Sequence, residues 1–383
     1  MRCATRPNCG PRPRGSRVFA RFPLPESDLK STKIRIVAIL IVVAVVALVW
    51  FGRHRIHFDW WEFGQQLRMA DWRRIAFALA CIYVGYVLRS IRWVWLLRHK
   101  KKVPSLSLLG TQVIGFTAVA LIGRVADLVR PYLVAKKTGL PLSSQIAVYI
   151  VERLFDAGSM ALITCSVILL SPPGALPHPE VVRRAGYWGL AATVAGGLFL
   201  VAIRFYGDAV TELAARVFGL ISKRAGQAVA DKIQAFHSGL DTIRSFSDFA
   251  IAAAFSLGMW LLIALAYLQI TLAFVASPQL AAMTPAKAVL LMIVSGGASI
   301  IQLPILGWFT QIGIVAAAIS KFFGAAAESS TGCATTLLLV TFLGIVPVGL
   351  IWARFERISL VRVAEESEHA GEELAHHVPV ASE

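Results

Sequence analysis

The sequence predicts an all-α, polytopic transmembrane helical bundle, and three observations predict it. Hydrophobic residues make up 57% of the 383 residues and charged residues only 16%, whereas a soluble domain is about a quarter charged. Mean hydropathy is +0.67. Several uninterrupted apolar runs reach the length of about 18 residues that marks a bilayer-spanning helix. The chain divides into a basic, disordered tail (1–33), one membrane region (34–353) and an acidic, disordered tail (354–383).

Net charge is +16. In a soluble protein that balance would suggest nucleic acid, but here the basic residues lie in loops beside apolar runs. That is the pattern of membrane topology and anionic headgroups, so no nucleic-acid partner is expected. The five cysteines (Cys3, Cys9, Cys81, Cys165, Cys333) have neither zinc nor disulfide spacing. His54 and His57 read as juxtamembrane loop residues, and His369, His376 and His377 as tail residues. Neither a metal nor another cofactor is expected.

The first apolar run, 34–51, follows a basic tail and is followed by "GRHRIHFDWW" rather than a small-residue cleavage site. It reads as an uncleaved span with the N-terminus cytoplasmic, as in a bacterial inner membrane. Further clear spans are expected at about 75–97, 145–170, 185–203, 249–275 and 331–353, six in all. Two regions, 105–139 and 286–322, are apolar but interrupted by Gly and Pro. "RHKKK" (98–102) and the basic link 204–248 both belong inside, so 105–139 must cross an even number of times. The same parity applies to 286–322, because the tail bearing Arg354, Arg357 and Arg362 also belongs inside. Each region is therefore a re-entrant helix or a helical pair, the latter giving about eight spans. Opposed broken helices are typical of transporters with inverted repeats.

The link 204–248 has Val210, Leu213, Val217, Leu220 and Ile221 at helical spacing, then Val229, Ile233, Phe236, Leu240 and Ile243. This is an amphipathic helix or pair, suited to lying on the leaflet or packing on the bundle.

The chemistry-bearing residues fall in two short stretches. "LIGRVADLVRPYLVAKKTG" (121–139) holds Gly123, then Arg124, Asp127 and Arg130 at i, i+3 spacing, then Pro131, Lys136 and Lys137. In a helix, Asp127 would pair with both arginines, and Pro131 should end or kink that helix. "VERLFD" (151–156) puts Glu152 and Asp156 on one face, with Arg153 within reach of Asp156. Together these stretches supply three arginines and three carboxylates, enough to close a neutral network. Six unpaired charges at bilayer centre would cost on the order of 15 kcal/mol, so they must be paired and face protein or water. Two readings stay open: a salt-bridge staple, or a site where Arg124 and Arg130 grip an anionic headgroup while Glu152 or Asp156 exchanges protons. Lys136 and Lys137 read as anchors at the rim.

These two motifs resemble the lysylphosphatidylglycerol synthase transmembrane region, a flippase-like family of integral membrane proteins. "GRVADLVRP" is similar to the family's G-R-x-x-E-x-x-R-P pattern and "VERLFD" to its E-R-x-x-D pattern, in the same order. Asp127 stands where the family usually has Glu. A later Pro- and Gly-containing motif is degraded to "LPILGWFTQ": Pro304 and Gly307 remain, but Thr310 or Gln311 stands where a carboxylate is expected. "SGGAS" (295–299) supplies small residues nearby, which suit close helix packing. Well-understood relatives carry a cytosolic aminoacyl-transferase domain, for which residues 354–383 offer no room, so synthase activity is not expected.

The resemblance implies a lipid flippase or transporter, moving an anionic or isoprenoid-linked lipid and binding it through Arg124, Asp127, Arg130, Glu152, Arg153 and Asp156. Gly123, Pro131, Pro304 and Gly307 would make the helix breaks. The alternatives are a non-transporting partner of a lipid or glycan synthase, or an enzyme with Glu152 and Asp156 as acid and base. No Ser/His pair or metal set accompanies those carboxylates, so an enzyme is not expected.

Overall fold

The computed structural model describes residues 58–104, 106–172, 179–219, 222, 226–227, 245–299 and 306–376. The expected first span, 34–51, lies outside them. The described part is all helix, and this is a multi-pass membrane protein. Four helices are long and apolar enough to cross a bilayer, or five if one bent pair counts as a single span. Large apolar side chains such as Val84, Leu198, Phe199, Leu261, Leu339 and Leu350 stay exposed on the bundle. Such a surface suits lipid, where nothing is gained by hiding them from water.

Helix α1 (Trp60–Met69) starts at Asp59, whose carboxylate accepts from the backbone of Trp61 and Glu62. Trp60 and Trp61 are exposed on it, as on helices that lie at a membrane–water interface. Helix α2 (Trp72–Leu97) and helix α7 (Phe246–Ala273) run antiparallel and form the most extensive pair in the bundle. Both ends of the pair are tied. At one end the Asp71 amide donates to the Ala273 carbonyl at 2.8 Å. At the other, Ser245 and Asp248 form a capping box on α7, and Asp248 also takes Arg98 and His99 from the end of α2.

The first broken region is helix α3 (Leu109–Ile122), a 3-10 turn (Arg124–Leu128) and helix α4 (Val129–Thr138). The break is made by Gly123, whose φ of 95° and ψ of −165° belong to a region that side chains all but forbid. Pro131 does not end a helix as expected. It sits in the first turn of α4, where its missing N–H would have had no intrahelical partner. The expected helical row of Arg124, Asp127 and Arg130 is thus divided between a 3-10 turn and an α-helix.

Helix α5 (Leu142–Leu170) follows. Helix α6 (Pro179–Gly219) joins the expected span 185–203 to the start of the link through a kink at Tyr206. Val210 packs beneath it against the cluster containing Ile203, while Leu213 and Val217 are exposed. The rest of the amphipathic pattern, from Leu220 to Ile243, falls outside the described residues.

In the second region expected to be broken, α8 (Pro285–Ala298) and α9 (Leu306–Phe323) are short apolar helices, and residues 300–305 between them lie outside the described residues. Pro304 lies outside the described residues; Gly307 is buried near the start of α9. The expected clear span 331–353 is itself bent. Helix α10 (Ala327–Thr341) and helix α11 (Val346–Phe355) meet at 43° through a 3-10 turn, with Pro347 at the start of α11.

The acidic tail also departs from expectation. Leu360–His376 is a helix, α12, docked on the first broken region. Val363 and Ala364 bury against Ile114, Val129 and Leu133. The Tyr132 hydroxyl donates to Glu366 at 3.0 Å, Lys136 lies 3.9 Å from Glu366, and Lys137 pairs with Glu356 at 2.9 Å. "VRVAEESEHAGEELAH" looks disordered by charge alone, yet its Val363, Ala364 and Ser367 share one buried stripe. Lys136 thus lies against this helix and Lys137 against the end of α11.

Candidate functional site

The site is built around Glu152 on α5, which is 1% exposed. Its Oε1 accepts from Arg89 at 2.9 Å, Arg130 at 2.8 Å and Arg153 at 3.2 Å, with Arg92 an ion-pair partner at 3.0 Å. Its Oε2 receives Arg130 again, at 2.9 Å. One turn on, Asp156 accepts from Arg92 at 2.6 Å and lies 3.4 Å from Arg89 and 3.6 Å from Arg153. Arg92 also donates to the Ser256 hydroxyl on α7. One carboxylate pair therefore clamps α2, α4 and α5, and through Ser256 also α7.

The breaks make this reach possible. Arg130 runs from the first turn of α4 past α3, where a Cβ at Gly115 would overlap its Cγ. Its Nε donates to Gln112 at 2.9 Å. Its guanidinium lies 4.2 Å from the Phe116 ring centre and 5.2 Å from that of Trp93. Arg89 lies 4.8 Å from the same Phe116 ring. Aromatic faces and carboxylates thus replace the water these cations give up.

Of the residues read from sequence, Arg130, Glu152, Arg153 and Asp156 come together. Asp127 does not join the network: among the described residues it forms no ion pair, and it lines a cavity beside it. The backbone of Arg124 is in the 3-10 turn, but its side chain lies outside what is described. Arg89 and Arg92 were missed. They stand at i, i+3 inside an apolar span, "GYVLRSIRW", and two arginines at that depth are the signal that marks them.

These two residues overturn the expected neutral balance. Four guanidiniums meet two carboxylates, an excess of two positive charges, and Asp127 on the cavity wall offsets one. The cavity beside the network measures about 520 Å³. Arg89, Asp127, Tyr149 and Arg153 line it at the charged end; Met160, Met259 and Met292 make apolar wall. The Arg153 side chain is 43% exposed there, against 9% for Arg89. Tyr267, Ser295 and Gln311 line the neutral side. Glu152 and Asp156 are not on the cavity surface. Among the described residues, no group of three or more His, Cys, Asp or Glu side chains could hold a metal. Cys81, Cys165 and Cys333 are buried thiols.

Fold and site define a class: a polytopic helical membrane protein with broken helices and a buried arginine–carboxylate network beside an intramembrane cavity. The model of the lysylphosphatidylglycerol synthase TM region family matches residues 35–349, and the chain belongs to that family. Neither a curated protein nor a solved structure matches the chain.

Proposed function

We propose that this protein is a lipid transporter that admits an anionic headgroup to the cavity at Arg89 and Arg153 and passes it between leaflets. The observation that carries the reading is the excess positive charge on the wall of an otherwise largely apolar cavity. Arginine matches phosphate through paired N–H donors, and low-dielectric walls strengthen that attraction. Methionines beside it adapt to varied apolar shapes, as acyl or isoprenoid chains require. The basic loop 98–102 supports a cytoplasmic end of α2 and, with it, a cytoplasmic N-terminus in a bacterial inner membrane.

The function needs no catalytic acid or base. Every oxygen of Glu152 and Asp156 is engaged by guanidinium, and neither residue faces the cavity, so these carboxylates hold the arginines rather than serve a substrate. The test is leaflet exchange in reconstituted vesicles with headgroup-labelled lipids. The full chain should speed exchange of an anionic lipid well above protein-free vesicles and above a zwitterionic lipid of the same chains. Exchange no faster than in protein-free vesicles would reject transport and leave a partner role beside a lipid or glycan synthase.

A further inference from the structure

The wall of the cavity formed by α7, α8 and α9 carries a second polar group that the charged network does not use. Tyr267 on α7 donates its hydroxyl to Ser295 Oγ at 2.8 Å. Gln311 on α9 donates its amide to the same oxygen at 3.0 Å. All three side chains are buried, at 5%, 3% and 6% exposure, and all three line the cavity. Two donors, from α7 and α9, converge on the Ser295 oxygen of α8, and Ser299 lines the same wall.

The chemistry of the trio is specific. Ser295 Oγ already accepts twice, so its own proton is free to donate. The Gln311 side chain retains its carbonyl oxygen and a second amide hydrogen. The wall therefore offers donors and an acceptor together and contributes no carboxylate or cation to the cavity lining. An ammonium arriving there would find no counter-charge. A hydroxyl, which both donates and accepts, satisfies such a wall, and hydrogen-bonding sites reject analogues that leave them unpaired. The volume of about 520 Å³ falls within the range of about 300–1,000 Å³ usual for small-molecule sites, enough for more than a bare phosphate.

We propose that Tyr267, Ser295 and Gln311 form a specificity subsite for uncharged hydroxyl groups, so that the preferred ligand is a phosphate ester of a polyol or sugar. This rests on the reading that Arg89 and Arg153 take the phosphate. The lipid is held at two points: its phosphate by the arginines and its hydroxylated head by the neutral trio.

The test is binding of three lipids to the full chain in detergent micelles: phosphatidylinositol, phosphatidic acid and phosphatidylethanolamine. Wild type should prefer them in that order. Gln311→Met and Tyr267→Phe should each weaken phosphatidylinositol about fivefold more than phosphatidic acid, the size of one net hydrogen bond. Tyr267→Phe removes a single oxygen, so it remains informative if Gln311→Met fails to fold. Arg153→Gln should weaken both anionic lipids together. If Arg153→Gln does so while the other two leave the phosphatidylinositol preference unchanged, the subsite is refuted and the headgroup reading stands. If neither anionic lipid binds better than phosphatidylethanolamine and Arg153→Gln changes nothing, the headgroup reading fails and takes this inference with it. Water-soluble inositol phosphate serves as competitor. Displacement at concentrations equal to the lipid would overturn the lipid as source, and weak displacement supports it.

Discussion

The two regions of short helices, α3 to α4 and α8 to α9, differ in the polar chemistry they bring to the cavity. The first, α3 to α4, turns at Gly123 and sends Arg130 into a buried ion network. The second, α8 to α9, brings Ser295 and Gln311 to the cavity, uncharged side chains that bond to each other. Both reach the same cavity. The difference teaches that a broken helix is a way to bring polar groups to membrane depth, while the residues flanking the break decide which chemistry arrives. One region supplies charge held by carboxylates; the other supplies neutral hydrogen bonding.

That comparison breaks most sharply if the charged side loses its carboxylate. Glu152→Gln keeps the shape but leaves Arg89, Arg92 and Arg130 short of counter-charge. The expected loss is about 3–5 kcal/mol, as for other buried pairs broken on one side, read as a lowered thermal midpoint in detergent. Gln311→Met, on the neutral side, should move the midpoint far less. Next in size is Gly115→Ala. The new methyl meets the Arg130 side chain, and such overpacking costs about 1–3 kcal/mol. A midpoint equal to wild type would mean that Arg130 need not pass so close to α3.

The smallest effect concerns the helix that braces the first region. Glu366→Gln weakens the contacts to Tyr132 and Lys136, which are partly exposed. The expected loss is below about 1 kcal/mol and should shrink further in high salt. Faster protease cleavage near α12, with the core midpoint unchanged, would check it.

The sequence showed the membrane class, the break at Gly123 and four members of the network, because charge inside an apolar run is costly and therefore visible. It did not show Arg89 and Arg92. Their span reads as continuous, and only the fold places their face against Glu152. Pro131 misled for a local reason: proline is a breaker within a helix but tolerated in its first turn. The C-terminal helix was hidden by its charge. Its buried stripe is narrow, and the apolar surface it covers lies more than two hundred residues upstream at Ile114, Val129 and Leu133.

The central claim is that surplus positive charge on the cavity wall attracts the ligand, separately from the ion pairs that hold the helices. Arg153 separates the two roles best, because its side chain is 43% exposed while Arg92 and Arg130 are sealed. The decisive measurement is leaflet exchange of an anionic lipid in vesicles carrying wild type or Arg153→Gln at equal folded amounts. The account predicts roughly a tenfold loss of exchange, with a smaller drop in thermal midpoint than Glu152→Gln, because Arg89, Arg92 and Arg130 still hold Glu152. Undiminished exchange by Arg153→Gln would contradict it and leave the network as a staple alone.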